Sequence, residues 1–262
     1  MIGFNGGLIG KTRITTTAPS VHGVWSANEQ IRARSAALWP GTGALTTGLV
    51  LYLDAGNAPS YPGSGTTWTD LSTSGNNGTL LPTTNGPTFD SADSGSILFD
   101  GVDDYVNLPL ITTRVADVTL QCWVYLSSSS KRGTFLATGT IDDGYCIGVG
   151  SGILDNIGNE IIGLFSGVRF ISTSTNYGTG WKFVTLLLDA SSVPSIYVGS
   201  TLIGSYSGFA PRTPTIRATI GAEASNSRLF NGNVAQALVY NRQLSASEIQ
   251  INFDLTKGRY GL

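Results

Sequence analysis

The stretch VTLQCWVYL, residues 118 to 126, alternates side chains with the period of two that belongs to a β-strand: Val118, Leu120, Cys122, Val124 and Leu126 fall on one face. Working outward from it, similar runs recur with turn residues between them. Upstream stand LVLYLDA (49–55), SILFDG (96–101) and DYVNLP (104–109). Downstream come GTFLATG (133–139), YCIGVG (145–150), IIGLFSG (161–167), RFISTS (169–174), WKFVTLLLDA (181–190), SIYVGSTLIGSYS (195–207), RATIGAE (217–223) and NVAQALVYN (233–241). Many short strands at this spacing predict an all-β, antiparallel two-sheet sandwich or jelly roll, and their extent leaves no room for a second domain. Trp123 and Trp181, inside strand runs, are expected in the core. Between the early runs lie long polar loops, GNAPSYPGSGTTW, STSGNNGT and TTNGPTFDSADSG, and loops on a rigid sandwich are where binding usually sits.

Composition agrees with short strands and tight turns: 34 Gly, 28 Ser and 30 Thr make up about a third of the 262 residues, and only 12% are charged. The net charge of -2 offers no global field for nucleic acid or anionic lipid. No run of 18 apolar residues occurs, and the opening MIGFNGGLIGKTRITTTAPS does not read as a secretory signal, so a non-membrane protein without a signal peptide is expected. Two cysteines fit neither a disulfide framework nor a zinc site, and Cys122 reads as a small buried thiol. The lone His22 leaves no relay for a Ser-His-Asp hydrolase.

Residues 1–48 differ from the rest. They carry Lys11, Arg13, Arg32 and Arg34 against Glu29 alone, a local +3, which leaves -5 for residues 49–262. Ser26 and Glu29 form a capping-box pattern ahead of a short helix that Pro40 would stop, with Trp25, Ile31, Leu38 and Trp39 as its apolar edge. A helix so short needs something to dock on, so we expect an N-terminal attachment arm followed by the strand-rich domain. A second capping box, Ser245 with Glu248, opens a short C-terminal helix over ASEIQINFDL in which Ile249 and Phe253 share a face, expected as a lid on one edge of the sandwich.

The phrases WTDLSTSGNNGTL (68–80), SILFDGVDDYV (96–106) and FNGNVAQALVYNRQLSASEI (230–249), in order with the strand runs over roughly 49–255, resemble the laminin G-like jelly rolls of the concanavalin A-like lectin and glucanase superfamily. The resemblance implies a concanavalin A-like sandwich used for binding. It also implies calcium, for which Asp54, Asn57, Asp100, Asp103 and Asp104 are hard oxygen donors near strand ends, although no EF-hand spacing is present. Read physically, the same phrases serve equally as framework, with Asn and Gly accepting the positive φ of tight turns.

MIGFNGGLIG and GVWSANEQIRARSAALWP (23–40) resemble the leading segments of bacteriophage virion proteins, notably from phages of marine cyanobacteria. That resemblance implies that Trp25, Asn28, Glu29, Gln30, Trp39 and Pro40 form a virion-attachment helix. The protein would then be a non-catalytic virion accessory protein, made in the bacterial host cytoplasm. It would be a capsid decoration protein or a tail-attached fibre or adhesin, held to other virion proteins as a homo-oligomer, with a trimer the expected form.

Two other functions can be weighed. Glucanases need two carboxylates flanking the glycosidic bond, and Glu29, Glu160, Glu223 and Glu248 form no Glu-x-Asp-x-x-Glu pattern; neighbouring Asp103 and Asp104, or Asp142 and Asp143, would face opposite sides of a strand. Carbohydrate binding in host-surface recognition is the stronger alternative, with Tyr61, Trp68 and Tyr177 as candidate glycan contacts because aromatic faces beside amides suit sugar rings. Those aromatics could also anchor their loops.

Overall fold

The structure is a computed structural model that describes residues 43–111, 117–127, 133–140, 143–151, 156–165, 169–206 and 212–262. The attachment-helix residues Trp25, Asn28, Glu29, Gln30, Trp39 and Pro40, with most of the arm, lie outside the described residues.

Among the described residues sixteen strands form two sheets, and these are antiparallel as the alternating runs predict. In the first sheet lie β1 (Leu49–Asp54), β4 (Thr88–Asp90), β5 (Ser96–Asp100), β7 (Val118–Leu126), β12 (Gly180–Leu188), β13 (Pro194–Val198), β14 (Thr201–Ser205) and β16 (Asn231–Tyr240). Its order is β14-β13-β12-β7-β16-β5-β4, with β1 pairing the second half of β16 where β5 pairs the first. In the second sheet β2 (Thr67–Trp68), β3 (Gly78–Leu81), β6 (Tyr105–Asn107), β8 (Gly133–Ala137), β9 (Tyr145–Ser151), β10 (Asn156–Phe165), β11 (Arg169–Asn176) and β15 (Thr219–Ile220) run β11-β10-β9-β8-β15-β6-β3-β2.

Strand β7 explains the layering. Val118, Leu120, Cys122, Val124 and Leu126 point into the inter-sheet core, where Phe230 meets Phe135 edge to face and Phe99 at a tilt. Its other face is also covered at Thr119, Gln121 and Trp123, because helix α1 (Ala246–Thr256) lies over the middle of the first sheet and builds a second core around Trp123, Phe183, Leu238, Tyr240 and Ile249. The helix thus caps a sheet face and not an edge. The reason is polar as well as apolar: Trp123 Nε1 donates to Thr256 Oγ1 at 2.7 Å, and Asn252 Nδ2 donates to Gln121 Oε1 at 2.7 Å and to the Tyr240 hydroxyl at 2.9 Å.

The capping box forms as read, with Ser245 and Glu248 exchanging side-chain and backbone hydrogen bonds. Glu248 also takes Arg242 at 2.7 Å, tying the end of β16 to the helix start. Ala44 and Leu45 join the second core, where Leu45 N donates to Asn252 Oδ1 at 2.9 Å and Tyr240 OH donates to Leu45 O at 3.0 Å.

Three details depart from the reading of the sequence. The run 195–207 is a hairpin, β13 and β14, turning at Gly199, whose φ is +62°. Strands β2, β3 and β4 had no signal of their own. Trp181 is half-buried on the outer face of the first sheet instead of in the core, its Nε1 donating to Asp93 Oδ2 at 2.8 Å. Both described cysteines are free and buried, and burial pushes the Cys146 thiol up to about 12.

Candidate functional site

The sequence phrases prove first to be structural. Asp70 is a hub: Oδ1 accepts from Tyr52 N at 2.8 Å and Ser72 N at 2.9 Å, and Oδ2 from Ser72 Oγ at 2.7 Å and Asn76 N at 2.8 Å. Asn76 returns a bond to Val50 O at 2.7 Å, and Asn77 Oδ1 accepts Asp70 N at 2.9 Å, so the GNNGT loop is stapled to β1. This is the framework reading of that phrase.

Two of the three candidate glycan contacts are corrected by burial. Trp68 is wholly buried and Tyr61 nearly so, both in the inter-sheet core, and Tyr61 OH donates to Gly65 O at 2.7 Å to brace its loop. They anchor loops and cannot face a ligand. Tyr177, half-buried just beyond β11, packs against the same core.

The calcium donors divide in the same way. Asp54 is 3% exposed, and Arg259 occupies both its oxygens, at 2.7 and 2.8 Å, while Gly56 N and Gln236 Nε2 also donate to it. A carboxylate already paired with a guanidinium has nothing left for a cation. Asn57 holds the turn after β1 through its main chain, its carbonyl accepting from Ser60 N and Tyr61 N. Asp103 and Asp104, by contrast, come together with Asp100 on the turn between β5 and β6, one oxygen of each within 4.8 Å of the others.

Gly101, at φ +77°, makes this turn, and Asp100 Oδ1 accepts Val102 N at 2.7 Å. Asp104 Oδ2 accepts Asp100 N at 2.9 Å, whereas Asp104 Oδ1 is buried without a partner. Burial pushes the Asp104 carboxyl up to about 6, with the charges of Asp100 and Asp103 adding to the shift and the Asp100 N–H opposing it. Three carboxylates with an unmet buried oxygen suit a hard cation, though they make only part of a calcium shell of 6–8 oxygens.

Beside this turn opens a cleft of about 470 Å³, lined by Leu81, Pro82, Thr83, Val102, Asp103, Tyr105, Asn226 and Leu229. The parity of DYVNLP places it: Val106 points into the core, so Tyr105 points out, opposite Leu81 of β3. Arg217 organises the polar part. Its guanidinium carbon sits 5.3 Å from the Tyr105 ring centroid, and its nitrogens donate to Asn107 Oδ1 at 3.0 Å, Asn226 Oδ1 at 2.6 Å and Ala224 O at 3.3 Å.

With its oxygen held, Asn226 presents Nδ2 as the donor. The cleft therefore combines an aromatic side, an amide donor, the Asp103 carboxylate as acceptor and apolar walls from Leu81, Pro82, Val102 and Leu229. Sequence reading had named Asp103 but missed Tyr105, Asn226 and Arg217; the alternation of β6 is the signal that could have found Tyr105. Among the described residues no helix is long and apolar enough to cross a membrane.

A family model described as the concanavalin A-like lectin/glucanases superfamily matches residues 100–250, more than half of the chain. No curated protein matches the chain. Among solved structures, it is similar to the binding domain of Paraclostridial Mosquitocidal Protein 1 (TM-score 0.58, 16% identity, 79% of this chain and 52% of that one). It is also similar to domain 4 of AbnA, an extracellular arabinanase of Geobacillus stearothermophilus, in complex with arabinotriose (TM-score 0.57, 15% identity, 79% and 98%). A third likeness is to a mutant Trypanosoma rangeli sialidase displaying trans-sialidase activity (TM-score 0.60, 18% identity, 88% and 36%). The chain thus spans about half of the first of these and about a third of the last. At such identities the likeness is one of fold.

Proposed function

The chain belongs to the concanavalin A-like lectin/glucanase superfamily, and from that premise we propose that it is a non-catalytic, lectin-like carbohydrate-binding module whose ligand lies in the Tyr105–Asn226 cleft. The carrying observation is the arrangement around Arg217, which fixes an aromatic ring and an amide donor on the same opening. A ring meets the C–H face of a sugar, while Asn226 and Asp103 meet its hydroxyls. Among the described residues that line this cleft Asp103 is the one carboxylate, and hydrolysis by paired carboxylates needs two. The arabinotriose complex of the arabinanase domain supports sugar as the ligand class.

Calorimetric titration with arabinotriose and a panel of host-surface glycans tests the reading. Tyr105→Ala and Asn226→Ala are each expected to weaken the responding sugar at least about tenfold, or about 1.4 kcal/mol. Binding that is unchanged in both variants, or no binding by the native chain, overturns it.

On the same rim, calcium at Asp100, Asp103 and Asp104 belongs to this proposal. Added calcium should raise the melting temperature of the native chain and leave an Asp103→Asn, Asp104→Asn variant unmoved.

A second reading concerns the assembly, and the sequence of residues 1–48 favours it: an arm of opposite charge to the body, with a capping-box pattern ahead of an apolar-edged run, is suited to fastening the module to something else. That partner is a phage virion, as capsid decoration or tail fibre, and the copies form a trimer. A chain beginning at Gly43 should bind sugar normally yet fail to load onto particles; normal loading would remove the attachment role. Light scattering of the full chain reads the trimer directly.

A further inference from the structure

We propose a second carbohydrate-binding surface, on the outer face of the first sheet, formed by Trp181, Tyr125, Asn233, Leu98 and Thr88. The pairing register places these residues in one row: Trp181 opposite Tyr125, Tyr125 opposite Asn233, Asn233 opposite Leu98, and Leu98 opposite Thr88. Side-chain parity turns all of them to the outer face, with Asn233, only 9% exposed, as the floor of the row, because Val124, Val234, Ile97 and Phe99 from the same strands fill the inter-sheet core. Helix α1 and the turn after it cover the neighbouring row at Trp123 and Phe183 and reach this one only at Trp181, which packs against the edge of the same second core. Five adjacent strands make four steps of about 4.8 Å, so the row is about 19 Å long, the reach of a short oligosaccharide.

The chemistry along the row is graded as such a ligand requires. At one end Trp181 and Tyr125 meet edge to face, centroids 5.5 Å apart at 72°, and the Tyr260 ring packs against Trp181 with centroids 4.6 Å apart. The Trp181 indole is held by Asp93 Oδ2, so its ring is preorganised. At the centre Asn233 donates to Asp90 Oδ2 at 3.1 Å and Ser96 Oγ at 3.0 Å, which fixes its amide.

Leu98, 41% exposed, and exposed Thr88 complete the row. Rings followed by an amide, a hydroxyl and acidic acceptors match an uncharged polyhydroxyl chain. A protein partner would need a larger apolar centre than Leu98 provides.

This inference deepens the carbohydrate reading and rests on it, although the surface lies on the opposite sheet from the Tyr105 cleft. The test is a titration of the 15N-labelled full chain with arabinotriose and with cellotetraose, reading the indole N–H of Trp181, assigned through Trp181→Phe, together with the side-chain amides of Asn233 and Asn226. The expected result is a saturable shift of the Trp181 and Asn233 signals. Leu98→Arg, an exposed substitution that should leave folding intact, is expected to weaken that response at least fivefold and to leave the Asn226 response alone.

Shifts confined to Asn226 overturn the second surface and leave the cleft reading standing. Shifts at Trp181 that Leu98→Arg does not weaken overturn the row as the ligand's path. No shift at either place with either sugar overturns both.

Discussion

Asp70 and Asp54 illustrate at the scale of single residues how differently two buried carboxylates can be used. Asp70 accepts four hydrogen bonds from β1 and its own loop, so Asp70→Ala leaves several buried donors unmet and should cost about 3 kcal/mol, measured by urea unfolding. Its importance was legible in the phrase TDLSTSGNNGT, though its partner β1 was not. Asp54 reads as a cation ligand from local sequence because its partner, Arg259, is 205 residues away and no spacing rule can connect them. The pair is buried and bidentate, so Arg259→Met should cost about 3–5 kcal/mol by stranding the carboxylate. Asp54→Asn combined with Arg259→Met should recover part of that loss, and a double-mutant cycle showing simple additivity would contradict the pairing.

At the scale of elements, the capping box was readable because both of its residues lie within four positions of each other, and it forms as read. Which surface α1 covers was not readable: alternation in β7 assigns parity, and nothing local says that Gln121 and Trp123 will meet Asn252 and Thr256 from the chain's end. Strands of two to four residues are too short to show a period, which is why β2, β3 and β4 escaped notice although Trp68 sits on one of them. Trp123 is core as expected and Trp181 is not, since a strand's pattern does not say how far along its outer face a helix extends.

The helix anchor carries its own pH dependence. Hydrogen bonds from Arg242 hold the Glu248 carboxyl below its ordinary value of 4.5 against the opposing effect of burial. A depressed carboxylate contributes stability above its unfolded value and loses it as pH falls through the folded one. Native protein should therefore exceed Glu248→Gln by about 1 kcal/mol at pH 7, and the gap should close as the pH drops below 4.5; a gap constant down to pH 3 would mean that the ion pair contributes nothing.

At the scale of the whole molecule, the place where the arm ends and the body begins decides how the arm can be tested. The change in composition puts the border at residue 48, yet the chain is already engaged with the body from Ala44 onward. Leu45 is 5% exposed, its N–H satisfies Asn252 and its carbonyl satisfies Tyr240, and Thr47 O accepts Arg242 Nε at 2.8 Å. These contacts belong to the network that fastens α1 to the sheet, since Asn252 also holds Gln121. Removing residues 43–48 would expose a leucine-sized patch and orphan two buried polar groups, for a cost of about 4 kcal/mol. In a domain of this size that is roughly a 10 °C fall in melting temperature. A chain beginning at Leu49 should therefore melt well below one beginning at Gly43, and the latter should match the full-length protein. Equal melting of the two shortened chains would show that the strap contributes nothing to the body. The difference bears on function because a failure of the Leu49 chain to load onto particles or to bind sugar could come from a loosened helix, whereas the Gly43 chain separates attachment from folding.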